Sequence, residues 1–116
     1  MERRVHPRVE LAGTALYRKD IYPKLTLASI LDLSVGGTKI ETLFGMRRGD
    51  RLEITIGIGQ QAIKCRGKVI YVLQPETGKT QAGIQLEELS EHDKHHLRQY
   101  LFSIMEEEAM RTNPRK

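Results

Sequence analysis

The chain of 116 residues has no tryptophan, two phenylalanines and a single cysteine, Cys65. Its core must therefore be mostly aliphatic. A lone cysteine excludes an intrachain disulfide framework and fits a reducing compartment. No apolar run approaches the roughly 18 residues needed to cross a bilayer, and no apolar segment follows the basic N-terminus as a secretion signal would require. A cytoplasmic protein without a membrane span is the expectation. Internal repeats and low-complexity segments are absent too, and the length suits one domain. No P-loop, Rossmann fingerprint or Ser-His-Asp arrangement is found, so no catalytic residue is assigned and an enzyme is not expected. Acidic residues are the minority, 15 against 19 Lys and Arg, giving a net charge of +4. That balance favours anionic partners in general, whether nucleic acid, nucleotide or acidic lipid, and does not choose among them.

What is present is a series of short β runs followed by one helix. A strand is expected from Val9 to about Tyr17, with Val9, Leu11, Ala15 and Tyr17 on one face. The turn-rich "RKDIYPK" should connect it to a second strand, Leu25 to Ser34. "VGG" breaks the pattern and "TKIETL" resumes it. "RLEITIGI" alternates most cleanly, with Leu52, Ile54, Ile56 and Ile58 on one side. A long strand follows from about Ala62 to Leu73, where Gly67 suggests a bulge or sharp bend. "TQAGIQLEEL" is the last strand. Six evenly spaced strands point to a mainly β fold, a small antiparallel barrel or sandwich. The period then changes. Ser90 can cap a helix with Asp93 three residues on, and Leu97, Tyr100, Leu101, Ile104 and Met105 form one apolar stripe.

Two motifs carry chemistry. "LDLSVGG" contains D-x-S-x-x-G: Asp32, Ser34 and Gly37, with Gly36 alongside. Residues two apart on extended chain share a face, so Asp32 and Ser34 would project together. The glycines allow positive φ and close backbone approach. A carboxylate acceptor, a hydroxyl and an unshielded backbone suit the N1–H and N2–H₂ donors of a guanine. A plain turn is the alternative, since Asp and Ser often bond their own backbone. "RRVHPR" holds R-x-x-x-R, Arg4 and Arg8, with Arg3 beside it. Pro7 biases His6 toward extended conformations, so an irregular arm is expected there rather than a helix. Arginine forks can grip phosphate oxygens, bond guanine O6 and N7, and stack on a purine. The spacing occurs three times in the chain, and only this instance precedes the first strand.

Taken together, the basic arm, "LDLSVGGTKIE" about 25 residues later, "CRGKVIYV" and "QAGIQLEEL" followed by a helix resemble the PilZ domain family over nearly the whole length. A Gly-Ile/Val-x-Phe element common in that family reads Gly83-Ile84-Gln85-Leu86 here, with Leu in place of the aromatic. The resemblance implies a six-stranded antiparallel PilZ-type β-barrel with a C-terminal α-helix, acting as a receptor for cyclic di-GMP and needing no cofactor. Arg4 and Arg8 would take phosphates and guanine Hoogsteen edges. Asp32 and Ser34 would take the guanine polar edge and nearby groups, with Gly36 and Gly37 allowing approach. Arg3 stands where the family residue is linked to one or two stacked ligands, and an arginine there favours a stacked pair. Tyr71 matches positions that hold an aromatic near the ligand, although period two also places it with Val69 and Leu73 as a packing residue.

The implied organisation is a flexible basic arm over 1–8, a barrel over 9–89, a helix over 90–110 and a frayed tail over 111–116. Partners would be cyclic di-GMP and an unidentified downstream protein, with a homodimer open. Two alternatives stand beside this reading. One is a barrel binding RNA or single-stranded DNA, disfavoured by the shortage of base-stacking aromatics. The other is a ligand-free adaptor using its helix stripe. His92, His95 and His96 read as a solvated helix face rather than a metal site, and Cys65 as a small buried residue.

Overall fold

The computed structural model of the chain describes residues 9–75 and 77–112, with the side chains of 10–12 and 112 set aside. The strands are β1 (Val9–Lys19), β2 (Tyr22–Leu33), β3 (Gly37–Thr42), β4 (Arg51–Ile58), β5 (Gln61–Leu73) and β6 (Thr80–Glu87), followed by α1 (Glu91–Thr112). They close into an antiparallel barrel in the order β1-β2-β3-β6-β5-β4. The closed barrel with one C-terminal helix is the architecture the family resemblance implied, where the strand count left barrel and sandwich both open, and closure leaves no edge strand exposed.

The interior is aliphatic, as the composition required. Leu52, Ile54, Ile56 and Ile58 of β4 all point inward against Ile30, Ile40, Val69 and Ile84. Among the described residues Tyr17 is the one aromatic in the buried core, and its hydroxyl meets the Thr42 Oγ1 at 3.0 Å. Burial raises the Tyr17 pKa, against the lowering effect of hydrogen bonds to Thr42 and Thr26.

Three expectations are corrected. The "RKDIYPK" connection is only a two-residue turn, Asp20 and Ile21, because Lys19 already pairs with Tyr22. Pro23 is tolerated within β2 because β3 pairs with β2 only from Ser29 onward, leaving one side of that stretch without a ladder. Gly67 is not a bulge: it pairs regularly with Leu52 and Leu86. It is needed because a Cβ there would lie 2.7 Å from the Ile84 Cγ2 and 3.2 Å from the Leu52 Cδ1. The register shift of β5 falls between Val69 and Tyr71 instead. Finally, Met105 is exposed, and the buried stripe of the helix is carried by Leu97 and Leu101.

Ser90 caps α1 as expected: the Asp93 N–H donates to its Oγ at 3.0 Å, and the Lys94 N–H donates to its carbonyl at 2.9 Å. Glu91 and Asp93 in the first turn suit the positive end of the helix. Leu97 and Leu101 are buried, with Tyr100 and Ile104 packed at the margin. The helix runs on through Thr112.

The strand directions sort the connections into two ends. The start of β1, the β2–β3 turn and α1 lie at one end. The β1–β2 turn and the β3–β4 and β5–β6 loops lie at the other.

Candidate ligand-binding face

The site is built outward from Leu33. Ala28, Ile30 and Leu33 all face the interior, which strict alternation along β2 forbids. The register shift between Ile30 and Asp32 resolves this. It takes Asp32 out of phase with Ile30 and turns it to the outer surface, where it is half-buried. The Thr38 hydroxyl donates to the Asp32 carbonyl at 2.7 Å and fixes the backbone there.

Ser34 then opens the turn into β3. Its buried Oγ accepts from the N–H groups of Gly36 at 3.3 Å and Gly37 at 3.1 Å, and donates to the Gly37 carbonyl at 3.3 Å. The Ser34 N–H also donates to that carbonyl at 2.8 Å, and the Leu86 N–H donates to the Gly36 carbonyl at 3.0 Å. The side chain is thus committed to the turn, the alternative left open for this motif. The left-handed glycines of the described chain are Gly49, Gly59 and Gly78, so Gly36 and Gly37 are not needed for positive φ. Gly36 is exposed and Gly37 buried.

Cross-strand register joins Asp32 to residues far away in sequence. Asp32 pairs with Lys39, Lys39 with Gly83, and Gly83 with Tyr71. On the next outward row Gly37 pairs with Gln85 and Gln85 with Lys68. Register shifts adjoin the first row on β1, β2 and β5, between Glu10 and Gly13, Ile30 and Asp32, and Val69 and Tyr71. The third overturns the face assigned to Tyr71. Val69 is interior, whereas Tyr71 is 38% exposed and lies outside with its ring over Gly83. A Cβ on Gly83 would come within 2.6 Å of the Tyr71 Cζ and 2.7 Å of the Cδ2. Ile84 and Leu86 of the same element fill the barrel.

Lys39, Lys68 and Gln85 were not found by sequence reasoning. No motif marks them, and only the pairing of β3, β5 and β6 brings them beside Asp32. Arg3, Arg4 and Arg8 lie outside the described residues. Their point of attachment does not: Val9 is buried and paired with Leu33, between Asp32 and Ser34 in the chain.

The remaining candidates stay apart from this face. His92 and His95 are exposed on α1, and the described residues contain no group of three or more His, Cys, Asp or Glu able to hold a metal. Burial, then the charge of Asp93, pushes the Cys65 thiol up to about 11, which leaves it protonated and unreactive near neutral pH. No helix among the described residues is long and apolar enough to cross a membrane.

A closed barrel with an outward polar row beside its first strand and a helix at the same end defines a class of small β-barrel domain. Family comparison matches the PilZ domain over residues 2–103, and the chain belongs to that family. Solved structures of the same fold include the PilZ domain with c-di-GMP of YcgR from Escherichia coli. It is 15% identical with a TM-score of 0.76, covering 97% of this chain and 98% of that one. The K. pneumonia MrkH–c-di-GMP complex is 17% identical with a TM-score of 0.80, covering 96% of this chain and 55% of that one. The Bacillus subtilis inhibitor of motility MotI/DgrA is 15% identical with a TM-score of 0.80, covering 90% and 52%. The chain therefore spans about half the length of the last two. No curated protein matches the sequence.

Proposed function

We propose that the protein is a cyclic di-GMP receptor whose basic arm closes over the outer face between the β2–β3 turn and Tyr71. The observation that carries this reading is the pairing of Val9 with Leu33. Val9 directly follows Arg8 in the sequence, and its partner Leu33 lies on the strand that bears Asp32 and leads into the Ser34 turn. In this reading Arg4 and Arg8 bind phosphates and the guanine O6 and N7, and Arg3 stacks with the bases. The Asp32 carboxylate accepts from guanine N1–H and N2–H₂. Ser34 holds the turn in shape, and Gly36 and Gly37 let the ligand reach the backbone. Tyr71 offers a ring face to a base or to the arm. Lys39 and Lys68 add positive charge around a dianionic ligand. Family membership and neighbours solved with c-di-GMP support the choice of ligand. Closure of the arm alters the surface presented to a downstream protein.

Calorimetric titration tests this. Cyclic di-GMP at micromolar concentration and low salt should release heat, and the stoichiometry separates one ligand from a stacked pair. Arg8→Ala removes a charged bidentate contact worth about 2–5 kcal/mol and should nearly abolish binding. An absence of heat with the unaltered chain overturns the proposal.

A further inference from the structure

The end of the barrel remote from the Asp32 face carries apolar side chains with no cover. Ile21 is 80% exposed and Leu43 71%, and Tyr22 and Phe44 beside them are more than half exposed. Ile21 and Tyr22 sit at the β1–β2 turn, and Leu43 and Phe44 at the start of the β3–β4 loop. The two turns are neighbours in space: a groove of about 280 Å³ runs between them, with Tyr22 and Lys24 on one lip and Phe44 and Gly45 on the other. In a chain with six aromatic residues, two thus stand exposed together at one end.

Among the described residues, the charge at this end that is not held in an ion pair is positive. Its acidic groups are already engaged: Asp20 with Arg66, Asp50 with Lys19, and Glu41 with Gln81 and Lys79. Lys24, Arg47 and Arg48 are exposed and have no ion pair among the described residues. Among the described residues, three cations without an ion pair thus share this end with four projecting apolar side chains.

We infer that this end of the barrel docks onto an anionic lipid surface. Ile21, Tyr22, Leu43 and Phe44 enter the boundary between headgroups and acyl chains, where aromatic side chains are favoured. Lys24, Arg47 and Arg48 lie over the anionic headgroups. Lipid is favoured over a protein partner by shape. The apolar groups project from two turns, and the groove between them is lipped by lysine instead of forming the closed apolar pocket a protein anchor fills. The contact is peripheral. It leaves the Asp32 face clear, at the far end of β2, so it does not depend on the ligand reading.

Co-sedimentation of the full chain tests the inference, using phosphatidylcholine vesicles with and without phosphatidylglycerol at low salt. The chain should pellet with the phosphatidylglycerol vesicles and be released by added salt. The double change Ile21→Ser with Phe44→Ser should lower partition at least about tenfold. Lys24→Gln, Arg47→Gln and Arg48→Gln should each lower it about fivefold. Phe102→Ser removes an equally exposed aromatic from the helix and should change nothing. The inference fails if the unaltered chain stays in the supernatant with both vesicles, as it would if the patch docks onto protein. It also fails if phosphatidylglycerol makes no difference, or if Phe102→Ser releases the chain as well as the double change does.

Discussion

The ring of Tyr71 lies over Gly83, its register partner on β6, and occupies the space that any larger residue at 83 would need. The pair holds an aromatic face on the outer surface in the same row as Lys39 and Asp32. Gly83 thus serves as the bed for a side chain on the neighbouring strand.

Gly83→Ala should push the ring away from the barrel. Tyr71 is partly solvent-exposed and can rotate outward, so the loss of stability should be small, about 1 kcal/mol or less. If the ring faces the ligand, Gly83→Ala and Tyr71→Ala should weaken cyclic di-GMP binding to a similar degree by calorimetry. Unchanged affinity in both variants would leave Tyr71 with a packing role only.

Asp32 and Ser34 should separate in their effects although they share a motif. Ser34→Ala leaves the Gly36 and Gly37 N–H groups without their acceptor and should cost about 1–3 kcal/mol in urea denaturation. Asp32→Ala leaves that turn intact. It should lower affinity and relax the preference for guanine, read by competition with cyclic di-AMP.

Gly67→Ala should be among the more damaging single-methyl insertions in the chain. The added carbon points into the interior against Ile84 and Leu52, both fully buried. Overpacking of this kind costs about 1–3 kcal/mol. A Gly67→Ala variant with an unaltered denaturation midpoint would show that the interior yields more easily than the contacts imply.

High pH should destabilise the fold through Cys65. Its thiol is raised from 9.0 to about 11 by burial and by Asp93. The unfolded chain therefore loses this proton first, and stability that is fully present below pH 9 declines as pH rises toward 11. Tyr17, also raised by burial, acts in the same direction. Thermal melts across that range should show a steeper alkaline decline for the unaltered chain than for Cys65→Ala.

Much of this protein was determined locally and is legible along the chain. The alternation of Leu52, Ile54, Ile56 and Ile58 defines a strand with one buried face, because side-chain direction in extended chain depends only on parity. Ser90 stops the β pattern and starts the helix with bonds to its own neighbours. The motifs around Arg4, Arg8, Asp32 and Ser34 name the family for the same reason: they are short and contiguous. The tertiary structure decided what parity cannot. A register shift belongs to a pair of strands, so nothing within "GKVIYVL" reveals that Tyr71 leaves the face of Val69. Asp32 likewise reaches the surface through its pairing with β3, and only closure of the barrel places Lys39, Lys68 and Gln85 beside it. The reason for Gly67 is equally nonlocal, since the atoms that exclude a side chain there belong to Ile84 and Leu52 on the two flanking strands.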